Sequence, residues 1–174
     1  MGGRIILDFW EVYADRVMSL ALVDTFPGFD DSFSTEGREK FIRERRQPLV
    51  EGGKELSDIA PLVVPGLVSP TASKEVLNEL ITSMNKLHKF SYIKTIESMT
   101  RYEPVTDVSQ IDVPVQIIVG EEDKLTPPSI SQKMHEQIKD SRLAIIPGAG
   151  HLPNIEKPVE FNTSLKSFLE KARP

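Results

Sequence analysis

Cysteine is missing from all 174 residues, which removes disulfides and thiolate metal sites and fits a reducing, cytoplasmic setting. No apolar run approaches the roughly 20 residues needed to cross a bilayer, so no membrane partner is expected. Clustered positive charge is scarce as well. The formal net charge is -5, and the densest basic stretch, Arg43 to Arg46, is interrupted by Glu44 and reads as a solvated helix face. Nucleic acid, whose phosphates select for grouped Lys and Arg, is excluded as a partner on that ground. Met1 to Arg4 leads straight into an amphipathic pattern and not into a signal peptide. The Met1-Gly2 start also lacks the Ser or Thr at position 6 that acylation requires, having Ile6 instead. Internal repeats and low-complexity segments are absent too. What remains, 39% apolar and 27% charged residues, is the composition of a globular domain able to bury a real core.

Ile5, Ile6, Phe9, Trp10 and Tyr13 recur at helical spacing and predict a helix from about Gly3 to Tyr13 that buries this stripe. Val17 to Val23 is short, β-prone and closed by Asp24, Thr25, Pro27 and Gly28, the pattern of a buried strand. From residue 25 to residue 107 the character changes. Gly37, Gly52, Gly53, Gly66, Pro48, Pro61, Pro65 and Pro70 punctuate short helical patterns. One runs from Arg38 to Arg45 with Phe41 and Ile42 inward, and a second from Leu56 to Leu62. The clearest stripe is Val76, Leu77, Leu80, Ile81 and Met84, opened by Ser69-Pro70 and continued by Leu87. Tyr92, Ile93, Ile96 and Met99 make the last. No strand signal interrupts them, so residues 25–107 are expected to be a helical insertion between two parts of a core, 1–24 and 108–174.

Strand patterning returns at Val113 to Val119, followed by the turn Gly120-Glu121-Glu122-Asp123. A helix from about Pro128 to Ile138 carries Ile130, Met134 and Ile138 on one face. Leu143 to Ile146 is a third strand, leading into Pro147-Gly148-Ala149-Gly150-His151. Pro158 to Lys171 closes the chain as a helix with Phe161, Leu165, Phe168 and Leu169 inward. Alternating strands and helices predict an α/β fold with a three-stranded parallel sheet covered by helices. Three strands are few beside the usual four to six or so, so one sheet edge is expected to lack its neighbour.

In open α/β sheets the reactive groups gather at the carboxyl ends of the strands. Asp123 follows the second strand and His151 the third, each after a glycine-containing turn. Neighbouring parallel strands lie about 4.8 Å apart, so loops leaving the same ends bring a carboxylate against an imidazole. Such a pairing fixes the tautomer of the ring and stabilises its protonated form. Gly148 and Gly150 frame His151 and let a sharp turn project it, and Gly120 releases the strand ahead of Asp123. Asp24, at the end of the first strand, is the second candidate for the acid. His88 and His135 lie in helical patterns with polar neighbours and read as solvated or interhelical residues. A metal site built from Asp123, His151 and Glu156 lacks a second histidine at ligand spacing, so neither metal nor cofactor is expected.

Three segments together resemble the α/β-hydrolase superfamily. Ile111-Asp112-Val113-Pro114-Val115-Gln116-Ile117-Ile118-Val119-Gly120-Glu121-Glu122-Asp123 is similar to its acid strand and turn. Pro147-Gly148-Ala149-Gly150-His151-Leu152-Pro153-Asn154-Ile155-Glu156-Lys157-Pro158 is similar to its histidine loop and the start of its last helix. Met1-Gly2-Gly3-Arg4, Asp15-Arg16-Val17 and Leu22-Val23-Asp24-Thr25 resemble the stretch immediately after its nucleophile elbow, and the insertion resembles its helical cap.

The resemblance implies a hydrolase of a small ester, lactone or related carbonyl substrate, with enol-lactonase-like and carbon–carbon-bond hydrolases among the relatives of this cap architecture. It implies Asp123 as the acid and His151 as the base. It also implies that Met1 holds the oxyanion-hole position next to a nucleophile one residue earlier. That nucleophile is expected to be Ser, because relatives with an Asp nucleophile more often place Trp next. No Gly-x-Ser-x-Gly occurs in the chain, so the polypeptide alone is expected to be inactive, as a truncated chain. The exposed edge of the first strand is also expected to invite self-association or pairing with a complementing fragment. The competing expectation is a non-enzymatic protein that binds a partner or a small hydrophobic ligand through the cap and that edge.

Overall fold

The computed structural model describes residues 1–29, 34–102 and 105–172. It contains three strands, β1 (Leu20–Val23), β2 (Val115–Gly120) and β3 (Ser141–Ile146), all parallel and in the order β1-β2-β3. The helices are α1 (Gly2–Tyr13), α2 (Thr35–Val50), α3 (Leu56–Val63), α4 (Lys74–Asn85), α5 (Lys89–Arg101), α6 (Pro128–Gln137), α7 (Pro153–Glu156) and α8 (Pro158–Lys171). The chain divides into two compact units. One holds residues 1–28, 67–72 and 105–174, and the other 29–66 and 73–104. The segment 67–72 thus lies with the sheet. No described helix is long and apolar enough to cross a membrane.

In the sheet unit, strand alternation sorts side chains into two layers. Leu22, Ile117 and Leu143 stand in one row across the sheet and Val23, Ile118 and Ala144 in the next. The first row joins Leu7 and Trp10 of α1 and Met134 of α6, with Ile138 just beyond, in one buried cluster. The second row packs on the opposite face with Ile146, Ala149 and, from α8, Phe161 and Leu165. β2 is central and buried at every position, as a strand covered on both faces must be.

Several boundaries and faces differ from the sequence reading. β1 starts at Leu20, not Val17, because Ala14–Arg16 forms a 3-10 turn and the first ladder bond is Leu20 N to Pro114 O at 2.9 Å. β2 starts at Val115 because Pro114 has no N–H to give. β3 runs back to Ser141, paired with Val115. α1 buries Arg4, Leu7 and Trp10, whereas Ile5, Ile6, Phe9 and Tyr13 are exposed. Successive residues on a helix differ by about 100°, so the face one residue back from Leu7 and Trp10 points elsewhere. The same offset leaves Leu169 exposed beside buried Phe168.

In the helical unit, Ser34 caps α2 by accepting from Gly37 N at 3.0 Å, and Glu55 and Asp58 form a reciprocal capping box on α3. α4 is opened by Ser73, whose Oγ accepts from Val76 N at 3.3 Å, and not by Ser69-Pro70. It ends at Asn85, which leaves Leu87 exposed. Pro48 and Pro61 lie inside α2 and α3 and do not end them; each helix forgoes one backbone bond there. His88 is the exposed N-cap of α5.

Candidate functional site

The loops after β2 and β3 are tied together by backbone bonds before any side chain is considered. Glu121 N donates to Ile146 O at 3.0 Å and Glu122 N to Ala149 O at 2.8 Å. Side-chain space is absent at the crossing: a Cβ on Gly120 would run into the carbonyls of Ala149 and Gly150, and one on Gly150 into the backbone of Val68 and Ser69. The glycines around the histidine therefore permit close packing of three backbone segments. His151 N completes the seam by donating to Leu67 O at 2.8 Å.

Asp123 and His151 are brought together at the ends of their strands, with His151 Nδ1 and Asp123 Oδ2 2.8 Å apart. The carboxylate is fully buried, and the imidazole is 24% exposed. Asp123 accepts from Leu125 N at 2.8 Å and Thr126 N at 3.1 Å on Oδ1, and from Thr126 Oγ1 at 2.6 Å on Oδ2. Burial alone would push this carboxyl up. The hydrogen bonds from His151 and Thr126 and the positive charge His151 can carry outweigh it and bring the pKa down to about 2. Asp123 is therefore an anion at neutral pH. His151 Nδ1 serves it as donor, and Nε2 is left as the basic nitrogen.

Asp24 stands beside the pair rather than in it. Its Oδ1 accepts from Gly120 N at 2.9 Å, and its own φ of 41° is in the left-handed region that Asp tolerates better than most residues. Asp24, Asp123 and His151 each offer an atom within 4.8 Å of the others. A cation there would compete with the donors already on Asp123, so the set suits proton sharing better than metal binding.

Glu156, weighed in the sequence as a metal ligand, does other work. Its Oε2 accepts from Ser69 N at 2.7 Å and its Oε1 from Gly150 N at 2.8 Å, pinning the histidine loop to the 67–72 segment. Thr126 and this function of Glu156 were missed by sequence reasoning. A Thr three residues after an Asp is a local signal that could have found the first. The second depends on a contact 87 positions away in sequence.

Met1 is the N-cap residue of α1, with its carbonyl accepting from Arg4 N at 3.0 Å. Burial, and then the charge of Arg4, lower the pKa of its amino group. His135 is exposed and bonds Ser141 Oγ at 2.7 Å. Neither it nor His88 is part of the cluster.

The α/β hydrolase fold family matches residues 1–158, and the chain belongs to that family. A Bacillus subtilis (strain 168) protein, provisionally named 2-succinyl-6-hydroxy-2,4-cyclohexadiene-1-carboxylate synthase, is 31% identical over 175 residues, covering 97% of this chain and 63% of its own length. The pimeloyl-[acyl-carrier protein] methyl ester esterase of Neisseria meningitidis serogroup B / serotype 15 (strain H44/76) is 33% identical over 177 residues, covering 98% and 66%. Among solved structures, a malate-bound thermophilic esterase from Thermogutta terrifontis superimposes with a TM-score of 0.86 at 25% identity, covering 99% of this chain and 63% of that one. The chain thus spans a little under two thirds of the length of these relatives.

Proposed function

We propose that the chain carries the acid and base of a serine-type hydrolase acting on a small ester, lactone or related carbonyl compound. The observation that carries this reading is the 2.8 Å pairing of a buried, ionised Asp123 with a partly exposed His151. In it, His151 Nε2 takes the proton of a nucleophilic hydroxyl as that oxygen attacks the substrate carbonyl, then returns it to the leaving alcohol. Asp123 holds the ring and stabilises the imidazolium. The esterases among the relatives support the ester class. The hydroxyl belongs to a Gly-x-Ser-x-Gly segment, which these 174 residues do not contain, and Met1 stands where the oxyanion-hole amide is required.

The test is turnover of short p-nitrophenyl esters. The 174-residue chain alone should give none that His151→Ala removes. A chain extended at its amino end by a Gly-x-Ser-x-Gly elbow and oxyanion loop should turn them over, and His151→Ala should then cost about 10⁴- to 10⁶-fold in kcat. Extended-chain activity indifferent to His151 would overturn the assignment.

A second reading, a non-enzymatic interaction protein, is favoured by the exposed Ile5, Phe9, Val12 and Met18 and by β1 lying at the sheet edge. Concentration-dependent self-association weakened by Phe9→Ser, together with an inactive extended chain, would favour it over the first.

A further inference from the structure

We infer that Asp24 is a positioning residue that carries a proton and gives it as a hydrogen bond to the carboxylate of Asp123, so that Asp24, Asp123 and His151 form one hydrogen-bonded chain. The inference rests on the reading of Asp123 and His151 as acid and base, and concerns a carboxyl group that reading does not use.

The two carboxyls differ sharply in what surrounds them. Asp123 accepts four hydrogen bonds, three from Leu125 and Thr126 and one from His151. Asp24 is 6% exposed and accepts one, from Gly120 N. Its Oδ2 is buried and reached by no donor. A buried carboxylate oxygen without a donor is costly, and so is a second negative charge within 4.8 Å of Asp123. One proton removes both costs: the orphan oxygen becomes a hydroxyl, and Asp123 becomes its acceptor. The proton sits on Asp24 because Asp123 has the donors that stabilise an anion.

The charged groups acting on Asp24 agree. Burial raises its pKa most. The bond from Gly120 opposes this, and the charges of Asp123 and Glu156 add to it, leaving a value of about 8. Within the cluster, the group able to carry positive charge is His151, and it is already paired with Asp123. A neutral Asp24 orients Asp123 from behind without adding charge, and its hydrogen bond moderates the basicity that Asp123 presents to the imidazole.

Carbon-13 NMR of aspartate-labelled protein reads this directly, with no enzyme activity required. One aspartate carboxyl should titrate near pH 8 and vanish in Asp24→Asn; all carboxyls titrating below about pH 6 would overturn the inference. Nitrogen-15 titration of His151 supplies the second readout. Asn keeps both an acceptor for Gly120 and a donor for Asp123, so Asp24→Asn should move the His151 midpoint by less than about half a pH unit. Asp24→Ala removes the donor and should raise the midpoint by more than that. If Asp24 is instead ionised, Asp24→Asn deletes a nearby negative charge and lowers the midpoint by about one pH unit or more, which would sink the proposal. Should the Ala variant fail to fold, the carboxyl titration of the unaltered protein still decides. Failure of the hydrolase reading would appear in the ester assay and leave these titrations untouched.

Discussion

In the sheet unit the carboxyls of Asp24 and Asp123 are buried and accept from backbone amides; in the helical unit the ion pairs lie nearer the surface and join side chain to side chain. Both carboxyls are nearly inaccessible: Asp24 satisfies the amide of Gly120, and Asp123 those of Leu125 and Thr126. Arg46 meets Glu97 at 2.7 Å and Lys89 meets Glu55 at 2.9 Å, pairs in which at least one side chain is well solvated. The difference shows where a sequence of ordinary composition concentrates its electrostatics. A buried carboxylate with several donors has a fixed protonation state and a fixed geometry, which chemistry can use, whereas a solvated pair has neither.

The comparison can be broken first at its foundation, the apolar rows on which the buried groups stand. Ile117 is fully buried at the centre of the larger cluster. Ile117→Ala should destabilise the protein by about 2–5 kcal/mol, read from urea denaturation, and should loosen the Asp123–His151 pairing with it. A cost under about 1 kcal/mol would mean that the rows do not hold the strand ends in place.

The pH effects of the two carboxyls, which have opposite signs, break the comparison from the side of charge. Asp123 has its folded-state pKa lowered to about 2, so the stability it confers is present above the unfolded value near 4 and is lost as pH falls toward 2. That arm is worth on the order of 2 kcal/mol. Asp24 has its folded-state pKa raised to about 8, so its contribution is full below about pH 4 and declines as pH rises through 8. Urea midpoints measured against pH should rise from pH 2 to 4 and decline from there to 8. Asp123→Asn should flatten the first arm and Asp24→Asn the second. An alkaline decline that survives Asp24→Asn has some other source.

Legibility in the sequence divides along the same line. The pairing of Asp123 with His151 could be read because parallel strands a fixed distance apart must bring their carboxyl-end loops together, whatever the details. The three strands, though not their first residues, came from short β-prone runs closed by turn residues, and the closing helix Pro158–Lys171 from its apolar spacing. The burial face of α1 did not, because Ile5, Ile6 and Phe9 give as good a stripe as Leu7 and Trp10, and only the position of the sheet chooses between them. The start of α4 was misplaced because Ser69-Pro70 and Ser73 are equally good local signals; Ser69 N is bonded to Glu156 across 87 residues, a contact no local pattern encodes. Asp24 was recognised as reaching the site but not as differing from Asp123, since the number of donors around a carboxyl is a property of the folded chain.

The smallest expected effect lies in the helical unit and tests the other side of the comparison. Arg46 Nε donates to Glu97 Oε1, and Glu97 also takes Lys94 Nζ at 3.2 Å. Those hydrogen bonds, from Arg46 first and then Lys94, hold the Glu97 carboxyl below its ordinary range. The Arg46 side chain is 36% exposed, so water competes for it and salt screens it. Arg46→Ala should therefore shift the urea midpoint by no more than about a quarter of the shift caused by Ile117→Ala, and raising the salt to about 1 M should erase most of that difference. Salt should erase far less of the effect of Asp123→Asn, whose carboxylate is fully buried. If the Arg46 variant instead proved as damaging as the Asp123 variant and equally indifferent to salt, the helical unit would be held by its own buried charge network, and the contrast between solvated pairs and enclosed carboxylates would fail at its weaker end.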